Sequence, residues 1–177
     1  MLSRKPYNPL SEIDRLKFKR GLQVIRKNLF ISFTIYFTSF CLNILLQVFV
    51  VHCCYFMIRY FSFGAHIKNF YLCMLQSLVT FVIIPYCLLH MVASINFTIP
   101  GMIAAILIIV LGPQPTKAQP IHHYMMTALH IKTAIITLVL LSTALLIDAP
   151  YSMLIHYGII TQSITLLITY MRRKYDA

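Results

Sequence analysis

Apolar and polar positions along this chain fall into long blocks rather than a short alternation. Five runs contain no Asp, Glu, Lys or Arg: Leu29–Ile58, Phe70–Ile95, Phe97–Leu111, Ala134–Ile147 and Tyr151–Met171. A helix crosses the ~30 Å hydrocarbon core with about 20 residues, so the longer runs predict membrane spans. Phe97–Leu111 and Ala134–Ile147 are short and must tilt or borrow flanking residues. The 30 residues of Leu29–Ile58 leave three options: one long tilted helix, a re-entrant hairpin, or two short spans bending near Asn43 or Gln47. Residues 1–28 read differently. Phe18, Leu22, Ile25 and Leu29 share one helical face, while Arg15, Lys17, Lys19, Arg20, Arg26 and Lys27 supply polar surface. Ser11 followed by Asp14 is a helix-start signal. This pattern predicts an amphipathic helix in the headgroup plane, the alternative being a solvated cytoplasmic extension of the first span. The expected fold is therefore all-α and polytopic, with four to six transmembrane helices, six preferred. An amphipathic basic segment at 1–28 would precede a single transmembrane domain at 29–177.

Composition and charge narrow the functions. The 177 residues are 59% hydrophobic, against roughly 45–50% in an average globular chain. Fifteen basic residues face only Glu12, Asp14, Asp148 and Asp176, giving a net charge of +11. In so apolar a chain that excess points to anionic lipid headgroups and an acidic peptide partner, not to nucleic acid. No run carries an intramembrane carboxylate, which argues against proton-coupled transport. No H-E-x-x-H pattern exists, so a zinc protease is excluded. His122 and His123 are adjacent and share no helix face, so neither metal nor cofactor is expected. Five cysteines at 41, 53, 54, 73 and 87 are odd in number and sit in apolar runs, which speaks against a disulfide framework. No secretory signal peptide is evident, because the first apolar run is too long for one.

Orientation follows from the basic residues. Eight precede Leu29, Arg59 and Lys68 flank the next connection, Lys117 and Lys132 flank or follow the Pro-rich loop 112–120, and Arg172, Arg173 and Lys174 close the chain. Placing all of them in the cytoplasm requires helical hairpins and favours six crossings.

The segment 59–77 concentrates the reactive groups: Arg59, Gly64, His66, Lys68, Cys73, Gln76 and Ser77. A cysteine nucleophile needs a base or a cationic neighbour. On an unbroken helix, His66 and Cys73 would be ~10 Å apart along the axis and could not touch. A break is therefore required. Gly64 permits an unusual backbone angle and Asn69 is an N-cap candidate, which would set Cys73 in the first turns of a helix, at its positive end.

These residues resemble the accessory gene regulator B peptidases. The resemblance is carried by Gly64-Ala65-His66 with Cys73 seven residues on, Arg59 seven residues before the His and Ser77 four after the Cys. It extends to Gly21-Leu22-Gln23-Val24, to Pro113, Thr116, Lys117, Gln119, Pro120 and Ile121 in the loop, and to Gly158-Ile159-Ile160 and Ile164-Thr165-Leu166-Leu167 in the last run. The loop's second Lys is Ala118 here, and an often acidic position in the last span is Gln162. The resemblance implies a cysteine endopeptidase of quorum sensing in the bacterial cell membrane, with His66 and Cys73 as catalytic pair facing the cytoplasm. It implies Arg59, Gly64, Lys68, Gln76, Ser77 and Lys117 as binding or supporting residues. The implied substrate is an AgrD-type propeptide with an amphipathic leader, a signal segment and an acidic tail, and a homodimer is expected. Cys73 would form a thioester that the peptide's own cysteine converts into a thiolactone. The alternative from another class is a non-enzymatic permease or peptide-export component.

Overall fold

The computed structural model describes residues 12–64, 69–91, 96–115 and 122–175. They form six helices: α1 (Glu12–Cys41), α2 (Leu45–Ser62), α3 (from Phe70 to Met91), α4 (Thr98–Leu111), α5 (His123–Leu146) and α6 (Tyr151–Tyr175). Four stretches are long and apolar enough to cross a membrane: Leu45–Ser62, Phe70–His90, Tyr124–Leu146 and Tyr151–Arg173. The chain is a polytopic all-α membrane protein, as the apolar runs predict.

The run Leu29–Ile58 divides at Leu42–Ile44, one of the two expected places. Asn43 adopts φ 57°, the left-handed region that Asn tolerates better than most residues. Each half gains length by recruiting neighbours, so α1 has 30 residues and α2 has 18. The basic amphipathic segment is not a separate element. No proline interrupts residues 12–41, and α1 continues unbroken across Asn28 and Leu29. Its first half stands clear of the other helices. Residues 21–30 are all exposed, and burial begins at Ile31.

Pro85 shapes α3. Phe70–Leu78 and Ile84–Met91 are α-helical, with a π turn at Val79–Ile83 between them. Pro85 has no N–H to offer the Phe81 carbonyl, and the Ile84 N–H bonds Val79 O, one residue further back than in an α-helix. Thr80 O thereby loses its usual donor. The Tyr157 hydroxyl of α6 donates to it at 2.8 Å.

Contacts between helices fix their directions. Tyr36 of α1 meets His52 of α2 and Phe30 meets Phe70, so α1 runs against α2 and alongside α3. Gly158 packs on Val51, Cys54 and Tyr55 while Gln162 reaches Ser62, so α2 and α6 are parallel. Gly101 lies on His156 and Gly112 lies by Ser62 and Thr133, which makes α4 parallel to both and opposed to α5. Ser62–Gly64, Asn69, Gly112–Pro115, His122 and the end of α6 therefore share one end of the bundle. There Gln114 N donates to Ser62 O at 3.1 Å. Gly112, Pro113 and Gln114 are buried, and such irregular backbone is tolerated at membrane depth only when protein covers it.

Small residues permit the closest helix approaches. A Cβ on Gly101 would stand 2.1 Å from His156 Cδ2, and one on Gly158 would stand 2.9 Å from Cys54 Cβ. Gly101→Ala should therefore force α4 away from α6 and cost about 1–3 kcal/mol. A thermal unfolding midpoint equal to the parent's, measured in detergent, would show that the helices are less tightly apposed.

Candidate functional site

Polar residues inside a span are costly and must face protein or a polar cavity. In α6 they recur on one side: Thr161, Gln162, Thr165 and Thr169 are all buried. Thr161 and Thr165 line a cleft of about 300 Å³ bounded by α1, α2, α3 and α6. Cys73 lines this cleft, half-buried, with Arg59, Gln76, Ser77 and Thr165.

The local sequence sets Cys73 at a helix start, as its spacing predicts. Asn69 caps α3, its Oδ1 accepting from Tyr71 N at 3.0 Å and Leu72 N at 3.4 Å. Cys73 N donates to Asn69 O at 3.0 Å and so sits in the first turn. The positive end of the helix dipole favours negative charge there.

The break before that helix is also where the sequence calls for it. Gly64 has φ 140°, a region essentially restricted to glycine, and Phe63 has φ 60° with ψ −149°. Such backbone persists only when its surroundings hold it, and Gln162 does the holding. Fully buried, it donates from Nε2 to Phe63 O and to Ser62 Oγ, each at 2.7 Å. Its Oε1 accepts from Thr165 Oγ1 at 2.9 Å. Thr165 also interacts with Tyr55, whose hydroxyl accepts from Arg59 Nη1. A continuous polar chain thus links the turn at Phe63–Gly64 to the wall of the cleft.

Several expected residues stand elsewhere than their sequence positions suggest. Arg59 belongs not to a solvated connection but to α2, which continues to Ser62. It is only 9% exposed and lies 5.3 Å from the Tyr55 ring centroid. Gly64 packs on Arg59 and Thr165. Gln76 and Ser77 border the cleft one turn beyond Cys73. His66, Lys68 and Lys117 lie outside the described residues. The aromatic residues of Tyr55–Phe63 and Phe70–Tyr71 stand in different surroundings. Tyr60 and Tyr71 are exposed, whereas Tyr55 is buried and Phe56 lines the cleft. Lys132 is two turns into α5, with Nζ 5.8 Å from the Phe61 ring centroid. Among the described residues no three His, Cys, Asp or Glu side chains converge as a metal site. Tyr55, Gln162 and Thr165 are the members of the site that sequence reasoning did not assign. The four-residue recurrence of Thr161, Thr165 and Thr169 in an otherwise apolar run was the available signal.

Gln162→Leu removes both donors from the turn and should cost about 1–3 kcal/mol, the penalty of stranding buried acceptors. Ser62→Ala leaves the Phe63 carbonyl its donor and should cost less. Hydrogen exchange at residues 62–64 would measure both, and equal protection in parent and Gln162→Leu would contradict the assignment.

The accessory gene regulator B family pattern matches residues 5–166. An accessory gene regulator protein B of Staphylococcus intermedius is 35% identical over 159 residues, covering 89% of this chain and 85% of that protein. Its counterpart in Staphylococcus saprophyticus is 35% identical over 158 residues, covering 89% and 84%. That of Staphylococcus aureus strain JH9 is 36% identical over 163 residues, covering 90% and 86%. No solved structure matches the chain. By extent and identity of match, the chain belongs to the accessory gene regulator B family.

Proposed function

We propose that this protein is a membrane-embedded cysteine endopeptidase of quorum sensing that removes the acidic tail of an AgrD-type propeptide. The observation that carries the reading is the position of Cys73, in the first turn of a capped helix and on the wall of a cleft that Arg59, Gln76 and Ser77 also line. His66 enters through its place in the chain, two residues beyond the Gln162-held turn.

In this mechanism His66 takes the Cys73 proton and the thiolate attacks the carbonyl that ends the signal segment. The C–N bond breaks, His66 returns the proton to the departing amine, and the signal segment remains as a thioester on Cys73. The peptide's own cysteine then gives its proton to His66 and attacks that carbonyl. The bond to Cys73 breaks, and a thiolactone is released. Exchanging one thioester for another is nearly isoenergetic, so water must be kept from the intermediate. The apolar surroundings of the cleft suit that need.

Cys73→Ala should abolish cleavage while propeptide binding survives. His66→Ala should lower the rate by about 10²–10⁴-fold. A propeptide whose cysteine is replaced by Ala should accumulate as an adduct on Cys73, visible by intact mass and released by hydroxylamine. Purified protein in liposomes is the system of choice, since cleavage there excludes a function in transport alone. An adduct on Cys41, Cys53, Cys54 or Cys87, or full activity of Cys73→Ala, would overturn the reading.

The cleft end of the bundle faces the cytoplasm in this proposal, because the basic residues gather there. A cysteine introduced at position 117 should resist an impermeant label applied to intact cells and react in inverted vesicles. Labelling from outside would reverse the orientation.

A further inference from the structure

The cleft is deeper than attack at Cys73 requires. Along α3 it runs from Cys73 to Ile84, eleven residues or ~16 Å of helix. At its inner part stands His52, seven residues and ~10 Å before Arg59 on α2. His52 is only 5% exposed and its ring is held on three sides. Phe56 and Phe81 pack against it with centroids 4.5 and 4.7 Å away. The Tyr36 hydroxyl meets Nδ1 at 2.7 Å. The phenol is a stronger acid than a neutral imidazole N–H, so we assign Tyr36 as the donor to Nδ1, which leaves the ring proton on Nε2. The cleft-lining imidazole then has a donor for a ligand in the cleft. A group so fixed and so far inside an apolar bundle is costly, and intramembrane titratable residues are functional by default.

The direction of the substrate says what meets this group. Attack at Cys73 divides a bound peptide into a leaving part and an acyl part, which extend to opposite sides of the scissile carbonyl. The leaving tail departs to water, towards the end that carries Lys132, Arg172 and Arg173. The acyl part must avoid water until ring closure, and the inner cleft is the sheltered space next to Cys73. Peptide carbonyls placed there need a donor from the protein, because water is scarce.

We propose that the inner half of the cleft is the subsite for the acyl segment, with His52, oriented by Tyr36, donating a hydrogen bond to one of its peptide carbonyls and thereby selecting which segments are processed. This rests on Cys73 being the nucleophile.

The test uses the full-length protein in liposomes with synthetic propeptides. His52→Phe keeps the ring packing against Phe56 and Phe81 and removes the donor. It should lower kcat/KM about 10- to 100-fold, the range that one buried hydrogen bond supports. Alkylation of Cys73 by iodoacetamide should keep its parental rate. Tyr36→Phe leaves His52 present but unoriented and should give a smaller loss. It also carries the test if His52→Phe does not fold. A scan replacing each amide of the signal segment by an ester weakens one carbonyl acceptor at a time. At one position the loss from His52→Phe should disappear, as expected for a pair that interacts. Unchanged kcat/KM in both variants, slowed alkylation of Cys73, or losses additive at every ester position would each overturn the subsite. Cleavage by Cys73→Ala would instead overturn the underlying reading, whatever the His52 variants do.

Discussion

The turn at Phe63–Gly64 depends on one buried amide. Gln162 satisfies two acceptors of that turn with its two hydrogens and uses its carbonyl to hold Thr165. An apolar side chain there would strand the Phe63 carbonyl where water is scarce. The rest of the site follows from this constraint. With the turn held, Gly64 lies against Arg59 and Thr165, and the Arg59 guanidinium stays over Tyr55. In a hydrocarbon environment little else holds helices together. Lipid tails are as apolar as leucine, so close packing of small residues and interhelical hydrogen bonds must fix the arrangement.

A second polar tie joins α6 to α3. Pro85 leaves a carbonyl without its donor inside α3, and a fully apolar neighbour could not compensate. Tyr157 does so from across the cleft. Backbone groups at membrane depth must be satisfied within the protein, so the π turn and the tyrosine form a single unit. α6 therefore carries a polar tie to each wall, Gln162 to the end of α2 and Tyr157 to the middle of α3. Thr161, between them, and Thr165, just beyond Gln162, both line the cleft.

Much of the fold was legible in the sequence because it is local. Runs of uncharged residues mark spans, Asn43 tolerates the turn that divides the first of them, and Asn69 has a cap's side chain just before Phe70. Gly64 as the break and Cys73 at a helix start were legible for the same reason. The burial of Arg59 was not. Its neighbours in sequence suggest a basic connection, and only the continuation of α2 to Ser62 removes it from solvent. Pairings across the fold were equally hidden. Gln162 meets Ser62 from 100 residues away, and Tyr157 meets Thr80 from 77. Nothing in either segment names its partner. Gln162 stood out in the sequence only as a departure from a family pattern, yet in the fold it is the residue that holds the turn.

Depth explains why the site is built from so many uncharged polar groups. A carboxylate in the cleft would face a large desolvation cost, and among the described residues Arg59 is the one charged side chain lining it. Hydroxyls and amides cost less to bury and can satisfy one another in chains, as Tyr55, Thr165 and Gln162 do. The acyl transfer proposed for this site would also require it to offer a peptide hydrogen bonds without admitting enough water to hydrolyse a thioester. Threonine, serine and glutamine supply the first requirement, and the isoleucines and phenylalanines between them supply the second. The alternation of these two kinds of residue along α3 and α6 is thus a chemical compromise, set by the bilayer as much as by the reaction.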